Sequence, residues 1–147
     1  MTMQRKSALL ATTLVTGMVA TAAAQATEQV CSAATLHGLY VFSATGFNVT
    51  QNGAVPKAIV EVIHFAGDGN LTVPAATRSV DGAVVEVPPN GVGTYTVEPN
   101  CVGTITFAGP HFDTFIAPNG SEIFMIQTVD PTGAGPVLQG IAKRVWD

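Results

Sequence analysis

Residues 91–107 read GVGTYTVEPNCVGTITF. On either side of EPNC, apolar residues alternate with small polar ones, the pattern of a strand that buries one face. The register of the hairpin follows from matching the two arms. A two-residue turn at Pro99-Asn100 would set Tyr95 opposite Thr104, whereas a three-residue loop, Pro99-Asn100-Cys101, sets Tyr95 opposite Ile105 and Val97 opposite Gly103. A slip of one residue turns every side chain to the other face, so the register that buries a consistent set is expected. It leaves Cys101 in the loop, where its side chain can reach another segment.

The same pattern extends outward in both directions. From residue 27 the chain has almost no helical periodicity. Short runs rich in Val, Ile, Thr and Phe are broken by Gly, Pro, Asn and Asp, and strands are predicted at 38–47, 57–66, 70–79, 83–87, 92–98, 102–108, 111–117, 122–128 and 137–146. Short connections favour a meander, so the expected fold is all-β: a compact antiparallel up-and-down barrel of about eight strands forming one domain, 27–147. In IHFAGDGNLTV a three-residue loop, Gly67-Asp68-Gly69, sets Phe65 opposite Leu71 and Ile63 opposite Val73. Ile59, Glu61, Ile63 and Phe65 then share the inward face, and His64 and Arg78 fall on the other. For FIAPNGSEIF, three- and four-residue loops match equally well. Glycines precede an apolar residue in Gly38-Leu-Tyr40, Gly93-Thr-Tyr95 and Gly103-Thr-Ile105, which suits a tightly curved sheet.

The first residues belong to a different class. Arg5 and Lys6 precede SALLATTLVTGMVATAAAQA, an apolar stretch that ends in small residues. Residues 1–26 therefore read as a secretory signal peptide, cut after Ala26 or after Ala24, and the stretch is too short to serve comfortably as a membrane anchor. Its removal takes the formal charge from −4 to about −6 and leaves Lys57, Arg78, Lys143 and Arg144 as the basic residues. A sparse acidic surface without a basic stripe argues against nucleic acid and anionic membrane as partners. The expected location is secreted or periplasmic, with no membrane insertion once the signal is gone. In such a compartment the two cysteines, Cys31 and Cys101, are expected to be bonded to each other. No cofactor is implied, and the Cys and His spacing offers no metal site.

Cys31 with LHGLYVFSATG, HFAGDGNLTV, GTYTVEPNCVGT and the closing GIAKRVW resembles a group of small exported bacterial proteins of unassigned function. The resemblance covers nearly all of the chain after residue 26. It implies a calycin-like barrel, similar in plan to lipocalins and to the barrel of allene oxide cyclase. It brings no set of catalytic residues with it.

Glu61 is the candidate for chemistry, because a carboxyl among Ile59, Ile63 and Phe65 would have its ionised form disfavoured by desolvation. Arg144 shares its strand face with Ala142, and Lys143 takes the other; an inward Arg144 would neutralise Glu61 or hold an anionic ligand. Tyr40 and Tyr95 are expected to line the interior or seal one end, and with Glu61 and Arg144 they complete the candidate ligand-binding set. The expected function is binding of a small apolar or amphipathic molecule inside the barrel. The alternatives are an isomerase or cyclase using Glu61 as acid–base, and a structural surface protein with a filled interior. Apolar residues on both faces of EIFMIQTV suggest that one outer face is covered by a partner or by the N-terminal segment, and a homo-oligomer would do this.

Overall fold

A computed structural model describes residues 30–128 and 135–146. The signal-peptide reading of 1–26 lies outside the described residues. A short 3-10 helix, Ala33–Thr35, leads into nine strands: β1 His37–Thr50, β2 Gly53–Ala66, β3 Asn70–Val80, β4 Ala83–Val87, β5 Gly91–Val97, β6 Val102–Thr106, β7 His111–Ile116, β8 Glu122–Thr128 and β9 Pro136–Trp146. All pairings are antiparallel. Eight strands close in the cycle β1-β2-β3-β5-β6-β7-β8-β9, and β9 returns to β1. The ninth, β4, is an extra strand. It pairs only with Ala76–Val80 of β3, while the first residues of β3 pair with β5.

The β5–β6 hairpin takes the expected register, with Tyr95 opposite Ile105 and Val97 opposite Gly103. Cys101 occupies the left-handed region, φ 64°, the conformation a three-residue hairpin loop requires at its last position. The Gly67–Gly69 loop sets Phe65 opposite Leu71 as expected. Between Ala117 and Glu122 the open alternative resolves to a four-residue loop, which continues the Ile116–Ile123 pairing. The first hairpin is longer than expected: β1 and β2 remain paired out to Thr50 and Gly53, beyond the expected strand ends at 47 and 57.

One register expectation fails, and the failure shapes the interior. His64 pairs with Thr72 but Val62 pairs with Ala75, so β3 gains a residue opposite Ile63. Pro74 lies in this bulge; it has no N–H to give the ladder, and sheets tolerate proline at such a break. Beyond the bulge the parity of β3 is reversed. Arg78, expected on the outer face, instead pairs with Ile59 and borders the interior.

The inward faces form one core. Tyr40, Phe42, Ile63, Phe65, Ile105 and Ile123 are almost completely buried, and edge-to-face rings run from Tyr40 to Phe65 to Tyr95 with centroids 5.0 Å apart. Glycine gives the sheet its curvature at Gly103, where a Cβ would stand 2.1 Å from the Thr96 carbonyl oxygen. Outside, Phe124 and Ile126 of the EIFMIQTV stretch are exposed in the single chain, together with Phe115 and Ile141. Among the described residues no helix is long and apolar enough to cross a membrane.

Candidate functional site

The two ends of the barrel differ in chemistry. One end is closed by the segment before β1. Cys31 is joined to Cys101 by a disulfide, with Cα atoms 5.1 Å apart, and the Cys31 N–H donates to the Pro99 carbonyl. This fixes the 3-10 helix over the barrel end and buries Leu36. The Tyr95 hydroxyl lies 3.0 Å from the Ala33 carbonyl oxygen and 3.1 Å from that of Leu36. The Tyr40 hydroxyl donates to the Gly120 carbonyl and accepts from Arg144 Nε at 3.0 Å. A terminal guanidinium nitrogen of Arg144 donates to the Thr35 carbonyl, and the guanidinium lies 5.5 Å from the Tyr40 ring centroid. Three of the residues singled out from sequence, Tyr40, Tyr95 and Arg144, thus lie at this end: Tyr95 and Arg144 bond the closing segment, and Tyr40 ties Arg144 to the β7–β8 loop at Gly120.

A tyrosine hydroxyl that both donates and accepts inside a closure is costly to remove. Tyr40→Phe is expected to lower the unfolding free energy by about 1–3 kcal/mol, because the Gly120 carbonyl and Arg144 Nε each lose a partner. Chemical denaturation checks it; a change below about 0.5 kcal/mol would mean these groups are readily satisfied another way.

Glu61 belongs to the layer above. It pairs with Phe42, whose ring meets Phe112 edge-on, and these side chains form the floor of a cavity of ≈ 210 Å³. Ile59 and Leu138 form part of its wall. Its rim comes from Val87 at the end of β4 and from Phe107 and Pro110 in the β6–β7 turn. Three polar side chains join Glu61 around it: Lys57, Arg78 and Gln127. Lys57 is half-buried and shares the inward parity of Ile59 and Glu61, and Arg78 is exposed at the mouth.

The electrostatics follow from this placement. Glu61 is only 9% exposed. Burial pushes its carboxyl up from 4.5 to about 7, against a smaller opposing pull from Lys57. Lys57 is itself lowered, first by burial and then by the like charge of Arg78, with Glu61 acting in the other direction. The cation whose field reaches Glu61 is therefore Lys57 and not Arg144, which is engaged at the closed end. Among the described residues, Glu61 makes no ion pair with Lys57 or Arg78. Lys143, on the outer face, pairs with Glu122 at 2.9 Å.

Gln127, Lys57 and Arg78 are absent from the candidate set drawn from sequence, and Gln127 is the most buried of the three. It is 7% exposed, it faces the cavity, and among the described residues its buried Oε1 has no hydrogen-bond partner. Such atoms are rare in folded proteins. The signal was present in the alternation Ile123, Met125, Gln127, which puts all three side chains inward. Lys57 was legible in the same way from its spacing to Ile59 and Glu61. Arg78 was not, because the bulge at Pro74 reverses its face.

The histidines do not cluster: His37 bonds the Ala34 carbonyl, His111 meets Thr106, and His64 pairs in the sheet with Thr72. No protein-family model matches the chain, nor does any curated protein or solved structure. What stands of the family resemblance is the architecture, a closed eight-stranded antiparallel barrel.

Proposed function

We propose that this barrel binds one small amphipathic molecule at its open end, and that the protein works outside the cytoplasm. The observation that carries the reading is the buried Gln127 Oε1, without a partner among the described residues, bordering a cavity whose walls are otherwise mostly apolar. An acceptor left unsatisfied costs about 1–3 kcal/mol, and a ligand donor would offset that cost. The apolar walls supply affinity and the few polar groups supply orientation, as in most small-molecule sites. The cavity of ≈ 210 Å³ limits the occupant to a small molecule or to one end of a longer one. In this reading Tyr40, Tyr95 and Arg144 hold the base of the site, and Glu61 touches the ligand. The disulfide supports an oxidising compartment, as secretion or export to a periplasm would provide.

Native mass spectrometry of protein purified from the organism that encodes it tests the proposal. One small-molecule adduct per chain is expected, and Ile59→Trp, which fills the cavity, is expected to abolish it while the circular dichroism spectrum stays that of a β protein. An adduct that survives Ile59→Trp would place the molecule elsewhere and end this reading.

A second reading, an isomerase or cyclase, is favoured by one observation. A carboxyl with its pKa near 7 sits at the cavity floor, poised to take up or release a proton near neutral pH. Lys57 and Arg78, rather than the tyrosines, would then orient the substrate. Glu61→Gln would separate the two readings: turnover, which needs the carboxyl's proton, would stop, whereas a ligand that is only bound would still enter the cavity with altered affinity.

A further inference from the structure

We infer that the occupant of this cavity is an anion: a small molecule with an apolar body and one acidic head group, held at the mouth between Lys57 and Arg78. The inference rests on the binding reading above and specifies its ligand class.

The argument begins with where the positive charge goes. The described residues contain four basic side chains of the lysine and arginine type, in a chain whose formal charge is −4. Two are committed elsewhere: Lys143 pairs with Glu122, and Arg144 bonds Tyr40 and Thr35. The other two, Lys57 and Arg78, both line this same cavity, and among the described residues neither is in an ion pair. The fold brings them together actively, because Arg78 reaches the cavity only through the bulge at Pro74. Adjacent like charges repel, and an acidic chain offers many carboxylates that could have been set against them. Glu61 does not serve: it is buried on the floor, and its burial favours the neutral form.

An acidic head group between the two cations would relieve their repulsion and gain charge-assisted hydrogen bonds, with Arg78 able to take a carboxylate through two parallel N–H donors. The apolar body would then lie along Ile59 and Leu138 towards Phe42 and Phe112. A cationic head would meet two like charges. A neutral head would leave both cations as they are. A hydroxyl or N–H on the body would satisfy Gln127 Oε1, so a hydroxylated acid should bind better than a plain one.

Calorimetric titration of the purified full chain with octanoate, octanol and octylamine, at about pH 6.5, where octanoate is ionised, tests this. Octanoate is expected to bind about tenfold more tightly than octanol, and octylamine more weakly than either. In Lys57→Gln/Arg78→Gln the octanoate preference should vanish while octanol still binds, which also reports that the variant is folded. Octanol equal to or tighter than octanoate would overturn the anion inference and leave the binding reading standing. So would an octanoate preference that survives the double substitution. Failure of all three probes to bind would overturn the binding reading, and this inference with it.

Discussion

Replacing Cys31 and Cys101 together with serine will lower the unfolding free energy by about 4 kcal/mol. The two residues are 70 apart in sequence, and a link across a loop of that length removes much of the unfolded chain's freedom. The native state loses as well. The disulfide is the covalent hold on the segment that caps the barrel, and that segment accepts the Tyr95 hydroxyl at Ala33 and Leu36 and the Arg144 guanidinium at Thr35. If the segment frays, Leu36 and the Tyr95 ring meet water, the Tyr95 hydroxyl loses its acceptors and Arg144 loses the Thr35 carbonyl. Guanidinium denaturation of the wild type and the double variant at one pH measures the difference, and the wild type with a reductant should match the variant. A loss below about 1 kcal/mol would show that the cap holds by packing and hydrogen bonds alone. A small barrel domain commonly has only about 5–15 kcal/mol to lose, so the larger outcome leaves the reduced protein near its limit at physiological temperature.

How much of this was legible in the sequence depends on which residues carried the information. Hairpin registers were readable wherever alternation ran unbroken into a short loop, as at Pro99–Cys101 and Gly67–Gly69, because one residue of slip exchanges buried and exposed faces. The same logic fails at a bulge. Nothing in VPAATR announces how many residues oppose Ile63, so Arg78 was assigned to the wrong face, and half of the charge at the cavity mouth was lost from view. The departure of β4 from the barrel was also hidden. Ala83–Val87 alternates no differently from a barrel strand, and its exclusion follows from β5 returning to pair with Asn70–Val73. The pairing of Glu61 with Arg144 was a guess about long-range placement from strand parity alone. Parity gives the face and not the height: Arg144 is level with Tyr40, and Glu61 is level with Phe42 and nearer the mouth.

Stability against pH should reveal Glu61 directly. The folded protein holds its carboxyl at about 7 against an ordinary 4.5, so the folded state takes up a proton that the unfolded state has released. Below about pH 4.5 the group is neutral in both states and contributes no penalty. As pH rises through that value the unfolded chain ionises first, and stability falls until the folded carboxyl ionises too, near pH 7. Above that the full cost is present, about 3 kcal/mol for a shift of this size. Glu61→Gln keeps the shape and removes the charge, so this step should disappear from its stability profile. At about pH 8 the variant should be more stable than the wild type by about 2–3 kcal/mol, while at about pH 4 the two should agree within about 1 kcal/mol. Urea denaturation of both proteins across this range isolates the group, since every other titration is shared between them. Parallel profiles would mean that the carboxyl is well solvated in the folded state, and both the neutral cavity floor and the acid–base reading would go. Binding an anion at Lys57 and Arg78 would act on the same equilibrium: a negative charge above Glu61 disfavours its ionisation further, so occupancy and protonation should be coupled, with proton uptake accompanying ligand binding near pH 7.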